Sequence, residues 1–283
     1  METNEKTQIA EELSKYCARM GSQNKAAASL TGVSAATISQ MLNKNWELIT
    51  PEMWRNVAAQ ISKPKNWNIA PTRVFNTITK LLEDAKEHSN VYAITGPAGC
   101  GKTAALESFK QEYPNVFLVK CGDYWNKRHF LSELLRVMGR EVMVANIGEM
   151  MQEAVAVCKK TEKPVIILDE VDKLADPLLY FFITLYNELQ DVCGIVMLST
   201  EFLEKRINRG LRLGKKGYRE IYSRIGGQFI KLGAPDAYDV RMICEHNRIT
   251  KSTDIDRISK ECGGDLRIVK RKAHAVELKE AGK

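Results

Sequence analysis

One stretch of eight residues constrains the fold of this chain more than any other. It reads Gly-Pro-Ala-Gly-Cys-Gly-Lys-Thr over residues 96–103, between an apolar run at 91–94 and a helix-forming run at 104–109. Glycines in such a stretch let backbone N–H groups turn toward an anion, and the N-terminus of the following helix adds a positive dipole. A strand, a tight turn and a helix in this order predict a phosphate-binding loop, or P-loop, within an α/β fold.

The residue types in the loop indicate ATP and Mg²⁺ as its ligands. Lys102 would neutralise the terminal phosphates, Thr103 would offer its hydroxyl to Mg²⁺, and the preceding backbone would cradle the phosphates. The residues that we assign to nucleotide binding are Gly96, Pro97, Ala98, Gly99, Cys100, Gly101, Lys102 and Thr103.

Two further apolar runs end in polar residues. Residues 165–168 precede Asp169 and Glu170, a pattern that predicts a buried strand delivering carboxylates to its carboxyl end. Asp169 would complete the Mg²⁺ site, and Glu170 would polarise the attacking water. The run at 194–198 leads to Thr200, whose hydroxyl could hydrogen-bond that water or the γ-phosphate. Strand and helix patterns alternate throughout this region, which predicts a parallel sheet covered by helices on both faces.

Composition limits the class of protein. The chain has 283 residues, of which 44% are hydrophobic and 27% charged, as expected for a globular protein of two or three domains. No apolar run approaches the roughly 18 residues of a membrane span, and the N-terminus does not resemble a signal peptide. Seven scattered cysteines without a C-x-x-C pair predict a reduced compartment and no structural zinc. We therefore expect a cytoplasmic protein without membrane attachment.

The first 65 residues have a different character from the rest. Helical periodicity covers residues 8–62, and two short helices flank a turn at Gly32, with Ser34 placed to cap the second. This spacing resembles a helix-turn-helix of the phage-repressor kind, and a helical interaction module that touches no DNA is the alternative. A proline-containing stretch at 62–71 predicts the linker. The expected domains are a helical unit (1–65), an ATPase core (66–233) and a helical lid (234–283).

Positive charge is concentrated near the C-terminus. Residues 201–283 hold twenty Lys and Arg against twelve Asp and Glu, whereas residues 71–200 carry a net charge of −3. No acid interrupts the densest part, residues 205–219, which favours binding of a polyanion such as duplex DNA. The candidate DNA contacts in this run are Lys205, Arg206, Arg209, Arg212, Lys215 and Lys216.

These motifs together resemble the AAA+ ATPases over about residues 70–280. The resemblance implies that Thr200 is the sensor-1 residue and that Arg267, which follows Gly264 and Asp265 in the lid, is the sensor-2 arginine. It also implies that Arg224 is the arginine finger that reaches a neighbouring subunit's γ-phosphate, with Arg219 as its competitor.

An N-terminal helix-turn-helix unit on a compact AAA+ core with a short lid resembles the phage Mu B transposition protein family. That resemblance implies ATP-dependent assembly of a homo-oligomeric filament on double-stranded DNA without sequence preference. It further implies delivery of target DNA to a transposase and ATP hydrolysis stimulated by DNA and by assembly. In related ATPases that encircle DNA, contacts follow the second strand, which here adds Trp125, Lys127 and Arg128 as candidates, although Trp125 could equally be a packed loop aromatic.

Two other functions fit the same residues. One is a helicase loader or replication initiator of the same ATPase clade. The other is a nucleotide-switched DNA-binding regulator, in which residues 1–65 bind DNA and ATP sets the conformation.

Overall fold

Five parallel strands form one sheet, as the alternating strand and helix patterns predict. A computed structural model describes residues 3–61, 67–140 and 146–281 of the chain. The strands are β1 (Val91–Thr95), β2 (Val116–Lys120), β3 (Val165–Asp169), β4 (Gly194–Ser199) and β5 (Ile230–Lys231). They lie in the order β2-β3-β4-β1-β5. The last strand has only two residues, and it pairs with β1 at Ile94 and Thr95.

The chain divides into two compact units, Met1–Trp67 and Asn68–Lys283. The predicted boundary after residue 65 falls among residues 62–66, outside the described residues. Helices of the first unit are α1 (Thr3–Met20), α2 (Gln23–Ser29), α3 (Ala35–Leu42) and α4 (Pro51–Ile61), with a 3₁₀ turn at Trp46–Leu48. Those of the second unit are α5 (Arg73–His88), α6 (Lys102–Glu112), α7 (Lys127–Val137), α8 (Ile147–Lys160), α9 (Asp176–Leu189), α10 (Glu201–Arg212), α11 (Tyr218–Arg224), α12 (Ala237–His246), α13 (Ser252–Glu261) and α14 (Leu266–Ala281).

The central strands are apolar on both faces because helices cover both. In β3, Ile166 and Leu168 join a core cluster with residues of α7, α8 and α9, while Val165 and Ile167 join a second cluster with residues of α5 and α6. Successive side chains of a strand point to opposite faces, so an uninterrupted apolar run fills both clusters. The parallel register leaves the carboxyl ends of β1, β3 and β4 at one edge of the sheet.

Helix α10 occupies part of the basic run, where the sequence analysis did not predict a helix. Its signals were present: Thr200 caps the helix, accepting a hydrogen bond from the backbone N–H of Phe202. Leu203 and Ile207, four residues apart, are both buried. The sequence analysis interpreted this run by its basic residues and overlooked the amphipathic pattern.

The N-terminal unit has its own hydrophobic core, which includes Ile38 and Met41 of α3. The hydroxyl of Ser34 caps α3 by accepting the backbone N–H of Thr37 at 3.1 Å. The turn between α2 and α3 is tied to α4, because the side chain of Gln60 bonds both backbone groups of Thr31, at 2.7 and 3.0 Å. Helix α4 thereby stabilises the α2 to α3 arrangement.

Across residues 3–61, 67–140 and 146–281, the helices are all too short or too polar to cross a membrane.

Gly194 sets how closely α5 approaches the sheet. A Cβ atom on this residue would lie 2.3 Å from the backbone oxygen of Ala85, a distance that no relaxed contact allows. We therefore expect Gly194→Ala to lower the free energy of unfolding by about 1–3 kcal/mol through overpacking. Urea unfolding followed by circular dichroism measures this change.

Gly233→Ala is the matched control, because a Cβ atom there meets nothing within 4 Å. It should change stability by no more than about 0.5 kcal/mol. Equal stability of Gly194→Ala and the unsubstituted protein would contradict the packing assigned to this strand.

Candidate nucleotide-binding site

The loop between β1 and α6 has the backbone that a phosphate cradle needs. Gly99 and Gly101 adopt φ angles of +76° and +101°, which favour glycine. At the start of the loop, a Cβ atom on Gly96 would lie 2.9 Å from the Cβ of Leu232. The ammonium of Lys102 donates to the carbonyl oxygens of Gly96 and Pro97 at 2.7 and 2.9 Å. The lysine therefore lies against the loop that it is predicted to serve.

Cys100 is a buried residue of the loop, with 1% of its surface exposed. Burial raises the pKa of its thiol, although the nearby Lys102 ammonium acts in the opposite direction. The side chain therefore stays a neutral thiol at neutral pH, as expected for a cysteine used for packing.

Thr103 and Asp169 converge beside the loop. The Thr103 hydroxyl donates to Asp169 Oδ2 at 3.0 Å, and the backbone N–H of Glu170 donates to Oδ1 at 3.0 Å. Only 2% of Asp169 is exposed. Burial raises the pKa of this carboxyl, and the Thr103 hydrogen bond partly offsets the rise. A hydroxyl and a carboxylate at one point are the hard oxygen ligands that suit Mg²⁺, so the residues present fit this metal.

Glu170 follows Asp169 in the left-handed region, with φ +59°. This backbone turn sends its side chain away from the buried strand, and 33% of the side chain is exposed. Its Oε2 accepts a hydrogen bond from the ammonium of Lys173 at 2.8 Å. The carboxylate predicted to polarise water is therefore held in a local ion pair.

Thr200 lies at the carboxyl end of the neighbouring strand β4, where its hydroxyl donates to Asp172 Oδ2 at 2.6 Å. The hydroxyl oxygen of Thr200 also accepts a hydrogen bond from the backbone N–H of Phe202 and thereby caps α10. The structure thus places Thr200 at the predicted edge of the sheet, with its hydroxyl proton bound to an acid that sequence reasoning did not consider.

The last lid helix begins directly on the phosphate loop. The backbone N–H of Leu266 donates to the carbonyl oxygen of Gly99 at 2.9 Å. Asp265 caps α14 by accepting the N–H of Arg267 at 2.8 Å. Its carboxylate lies so close to the loop that a Cβ atom on Gly99 would be 2.2 Å from Oδ1. Arg267, in the first turn of the helix, is exposed.

Arg224 lies near the amino ends of the strands, opposite the ends that carry the phosphate loop. Its guanidinium donates to Asn187 Oδ1 at 3.2 Å and lies 5.4 Å from the ring centre of Tyr186. It lines a cavity of about 270 Å³ together with Val91, the first residue of β1. Arg219, in the first turn of α11, is exposed.

The loop after β2 carries two aromatic residues that differ in exposure, and Trp125 is the packed loop aromatic that the sequence analysis left open. Trp125 packs against the core, and its indole N–H lies where a Cβ atom on Gly122 would approach within 2.7 Å. Tyr124, which the sequence analysis did not single out, is 77% exposed. Lys127 and Arg128 are exposed at the start of α7.

The basic run of α10 and α11 is divided by its contacts. Arg206 is partly buried: its guanidinium pairs with Asp176 and donates to the carbonyl oxygen of Leu174 at 2.6 Å. Tyr218 donates to the same carboxylate at 2.9 Å, so this cluster joins α9, α10 and α11. The remaining candidates are exposed; they are Lys205, Arg209, Arg212, Lys215 and Lys216.

The buried carboxylate of Asp169 costs stability at neutral pH. A carboxyl group whose pKa is higher in the folded than in the unfolded chain destabilises the folded state at pH values where the group is charged. The destabilisation is absent where the group is protonated in both states. Asp169→Asn removes the charge, and its amide can still accept from Glu170 and donate to Thr103. We expect this variant to be more stable by about 1 kcal/mol at pH 7. The gain should vanish as the pH falls to about 4, where the acid itself is protonated.

Asp236→Asn is the control, because this substitution should lower stability at neutral pH where Asp169→Asn raises it. Hydrogen bonds from backbone N–H groups, led by that of Asp239, lower the pKa of Asp236. Its charge therefore stabilises the fold at neutral pH, and this contribution is lost as the pH falls. Urea unfolding at several pH values measures both variants, and a loss of stability in Asp169→Asn at pH 7 would contradict the assignment.

Comparisons with known proteins agree with this site. The AAA domain family matches residues 85–207. A relative from Haemophilus influenzae, the Mu-like prophage FluMu DNA transposition protein B, is 26% identical over 208 residues, which are 69% of each chain.

Two solved structures share the fold. Cdc6p from Pyrobaculum aerophilum has a TM-score of 0.50 and 14% identity, over 77% of this chain and 64% of that one. NtrX from Brucella abortus in complex with ATP has a TM-score of 0.50 and 13% identity, over 89% and 61%. The chain thus spans less than two thirds of the length of either structure. Together with the phosphate loop, the family match and the relative show that the chain contains an AAA domain and is similar to a Mu-like transposition protein B.

Proposed function

We propose that this protein is an ATPase that assembles head to tail on double-stranded DNA, without sequence preference, and delivers target DNA to a transposase. The position of Arg224 carries the proposal, because it lies across the sheet from the phosphate loop of its own chain. The name of the Haemophilus relative, a DNA transposition protein, supports the transposition role.

The loop and its neighbours account for ATP binding. Backbone N–H groups and Lys102 would bind the phosphates, and Thr103 with Asp169 would hold Mg²⁺. When bound, Mg²⁺ neutralises charge that develops on the phosphates. Glu170 would orient and polarise the attacking water once its carboxylate leaves Lys173.

The lid and sensor residues complete the site. The hydrogen bond from Leu266 to Gly99 brings the first turn of α14 to the loop. We infer that Arg267, in the same turn, would contact the bound phosphates. Thr200 would sense the γ-phosphate by exchanging its bond to Asp172 for one to the nucleotide or to the attacking water.

The remaining catalytic charge must come from another copy. Parallel strands put the phosphate loop at their carboxyl ends, whereas Arg224 lines a cavity with Val91 at their amino ends. A five-residue strand is about 16 Å long, which exceeds the reach of an arginine side chain. A finger that acts in trans requires a head-to-tail interface, and such interfaces build rings or filaments.

Repetition of exposed basic residues along such an assembly would bind duplex DNA. Lys127 and Arg128 lie at the start of α7, near the carboxyl edge of the sheet, and the exposed members of the basic run add to them. Contacts to backbone phosphates carry no sequence information, which explains binding without sequence preference. We leave Arg206 out of this surface because its guanidinium is held by Asp176, and we assign Trp125 to support of the loop.

Mixing two inactive variants tests the interface. Glu170→Gln lacks the water-activating carboxylate, and Arg224→Ala lacks the finger. An equal mixture should recover turnover, because about a quarter of head-to-tail interfaces then join an intact catalytic side to an intact finger. Steady-state ATP turnover at fixed total protein measures the recovery.

Arg219→Ala mixed with Glu170→Gln is the comparison that identifies the finger. If Arg224 has this role, Arg219→Ala alone keeps most of its turnover. Failure of the Arg224→Ala mixture to exceed the sum of its parts would refute a finger supplied by Arg224 in trans.

DNA stimulation and its salt dependence test the binding surface. Duplex DNA of arbitrary sequence should raise ATP turnover, and the effect should fall steeply with salt. Replacing Lys127 and Arg128 together by Ala should weaken DNA binding on every sequence. It should also reduce the slope of log affinity against log salt by up to about 2. Fluorescence anisotropy of a labelled duplex measures the affinity.

Lys159 and Lys160, replaced together by Ala, make the matched control. They are exposed at the end of α8, before the amino end of β3, and their loss changes the net charge equally. If DNA binding weakened equally in both double variants, net charge alone would account for the effect. A turnover that responds to neither DNA nor salt would favour a nucleotide-gated binding module instead.

A further inference from the structure

Helices α9, α10 and α11 enclose a cavity that the proposed nucleotide site does not use. Its volume is about 420 Å³, which is in the size range of ligand sites. Of the described residues that line it, one is an acid, Asp176, and four are cations, which are Lys205, Arg206, Arg209 and Lys215. A lining with this excess of positive charge attracts an anion.

The four cations differ in how far they are already neutralised. Arg206, the least exposed of them, is paired with the acid of the lining. The ammonium of Lys205 lies 3.3 Å from Oε2 of Glu201, but the lysine side chain is 69% exposed, and such surface pairs are weak. Arg209 and Lys215 are exposed and have no ion-pair partner in the part of the chain that the structure describes. A ligand would therefore meet mainly the charge of these two residues.

Close packing of α10 on α11 fixes where the two unpaired cations begin. A Cβ atom on Gly210 would lie 2.3 Å from the ring of Tyr218, so the two helices touch at this point. Arg209 directly precedes Gly210, and the backbone N–H of Lys215 donates to the Gly210 carbonyl oxygen at 2.9 Å. Both cations are thus attached beside one rigid contact, and this preorganisation lowers the entropy cost of binding one anion between them.

An exposed aromatic residue lines the same cavity. Phe202 is 72% exposed, and it shares a face of α10 with Arg206 and Arg209, four and seven residues later. The ammonium of Lys205 lies 5.7 Å from its ring centre. Rings of a nucleic acid pack on aromatic side chains beside the phosphates that the same strand carries, whereas a free phosphate ion has no such part. The lining therefore fits a phosphodiester of a nucleic acid better than inorganic phosphate.

The cavity also lies close to the start of α7, which we assign to DNA binding. The ammonium of Lys127 lies 5.6 Å from the ring centre of Phe181 in α9. Asp176, which lines the cavity, is five residues earlier in the same helix, a distance of about 7.5 Å along its axis. One duplex can therefore contact Lys127 and the cavity together.

We propose that this cavity binds a single backbone phosphate of duplex DNA, held jointly by Arg209 and Lys215, with the adjoining deoxyribose against Phe202. The proposal rests on the DNA binding proposed above and gives the basic run one defined contact. The phosphate accepts charge-assisted hydrogen bonds from both cations. The pair of Arg206 and Asp176 holds α10 against α9 and so keeps the cavity in shape.

The salt dependence of DNA binding distinguishes one shared phosphate from two separate ones. Each phosphate that a protein neutralises contributes about 0.9 to the slope of log affinity against log salt. Replacing Arg209 and Lys215 together by Ala should therefore lower that slope by about 1, whereas two separate contacts would lower it by about 2. Fluorescence anisotropy of a labelled duplex at several salt concentrations measures the slope.

A double-mutant cycle at one salt concentration tests the same point. Arg209→Ala and Lys215→Ala should each weaken DNA binding about tenfold, the loss expected for one charge-assisted hydrogen bond. The two losses should not multiply, because groups that share one partner are coupled. The double variant should bind about thirtyfold more weakly, rather than about a hundredfold.

Arg212 and Lys216 provide the matched control. They are exposed members of the same basic run, and they lie outside the lining of the cavity. Replacing both by Ala removes the same two charges but should weaken binding by less than about fivefold in total, because exposed charges without a defined contact contribute little. Phe202→Ala should weaken binding about fivefold or more without changing the salt slope, since it removes packing and no charge.

Inorganic phosphate tests whether the cavity takes a free anion instead. Replacing chloride by phosphate at equal ionic strength should displace little of the labelled duplex. Displacement that depends on Arg209 and Lys215 would assign the cavity to free phosphate and overturn the proposal.

Equal loss of DNA affinity in the Arg209 and Lys215 pair and in the control pair would overturn the cavity site and leave a diffuse basic surface. A slope change of about 2, with single losses that multiply, would overturn the shared phosphate. If the unsubstituted protein binds duplex and the Arg209 and Lys215 pair binds it equally well, this inference alone fails. Absence of duplex binding by the unsubstituted protein would instead contradict the proposed function itself.

Discussion

Parallel pairing of β1, β3 and β4 is the constraint on which the site depends. Because these strands run in one direction, the phosphate loop, the Asp169 and Glu170 pair and Thr200 all follow the same edge of the sheet. The strands can pair centrally because helices cover both faces and bury their apolar side chains. Burial of the two hydrophobic clusters that flank the sheet therefore supports the few polar groups that could bind a nucleotide.

The polar groups at this edge fall into two classes that differ in exposure. Asp169 is buried and satisfied by Thr103 and a backbone N–H, so its position is fixed at a cost in stability. Glu170 is partly exposed and held by one surface ion pair. The residue that suits metal binding is thus rigid, whereas the residue that suits water activation can move. Adjacent positions in the sequence acquire these different properties because the chain turns into the left-handed region between strand and 3₁₀ turn.

Sequence patterns predicted the sheet and the loop because these depend on local features. Apolar runs, glycines and the cap at Ser34 each act within a few residues of the chain. Contacts between distant residues were beyond such patterns. Arg206, one member of the basic run, is partly buried because it pairs with Asp176. In the loop after β2, Trp125 packs against the core, and Tyr124 is the exposed aromatic residue. The roles of Thr200, Arg224 and Arg267 remain predictions, with positions that now constrain them.

The segment just before the lid and the last lid helix both contact the phosphate loop. Leu232, at the entry to the lid, packs on Gly96, and Leu266, at the start of the last helix, bonds to Gly99. Helix α14 has 16 residues. It is therefore about 24 Å long, so a tilt of about 10° at its first turn carries its last turn through about 4 Å. Because the helix contacts the loop at its first turn, such a tilt would rotate the whole helix about that contact. Its far end is consequently where a rearrangement of ångström size around Gly99 reaches its greatest amplitude, at a distance from the phosphates themselves.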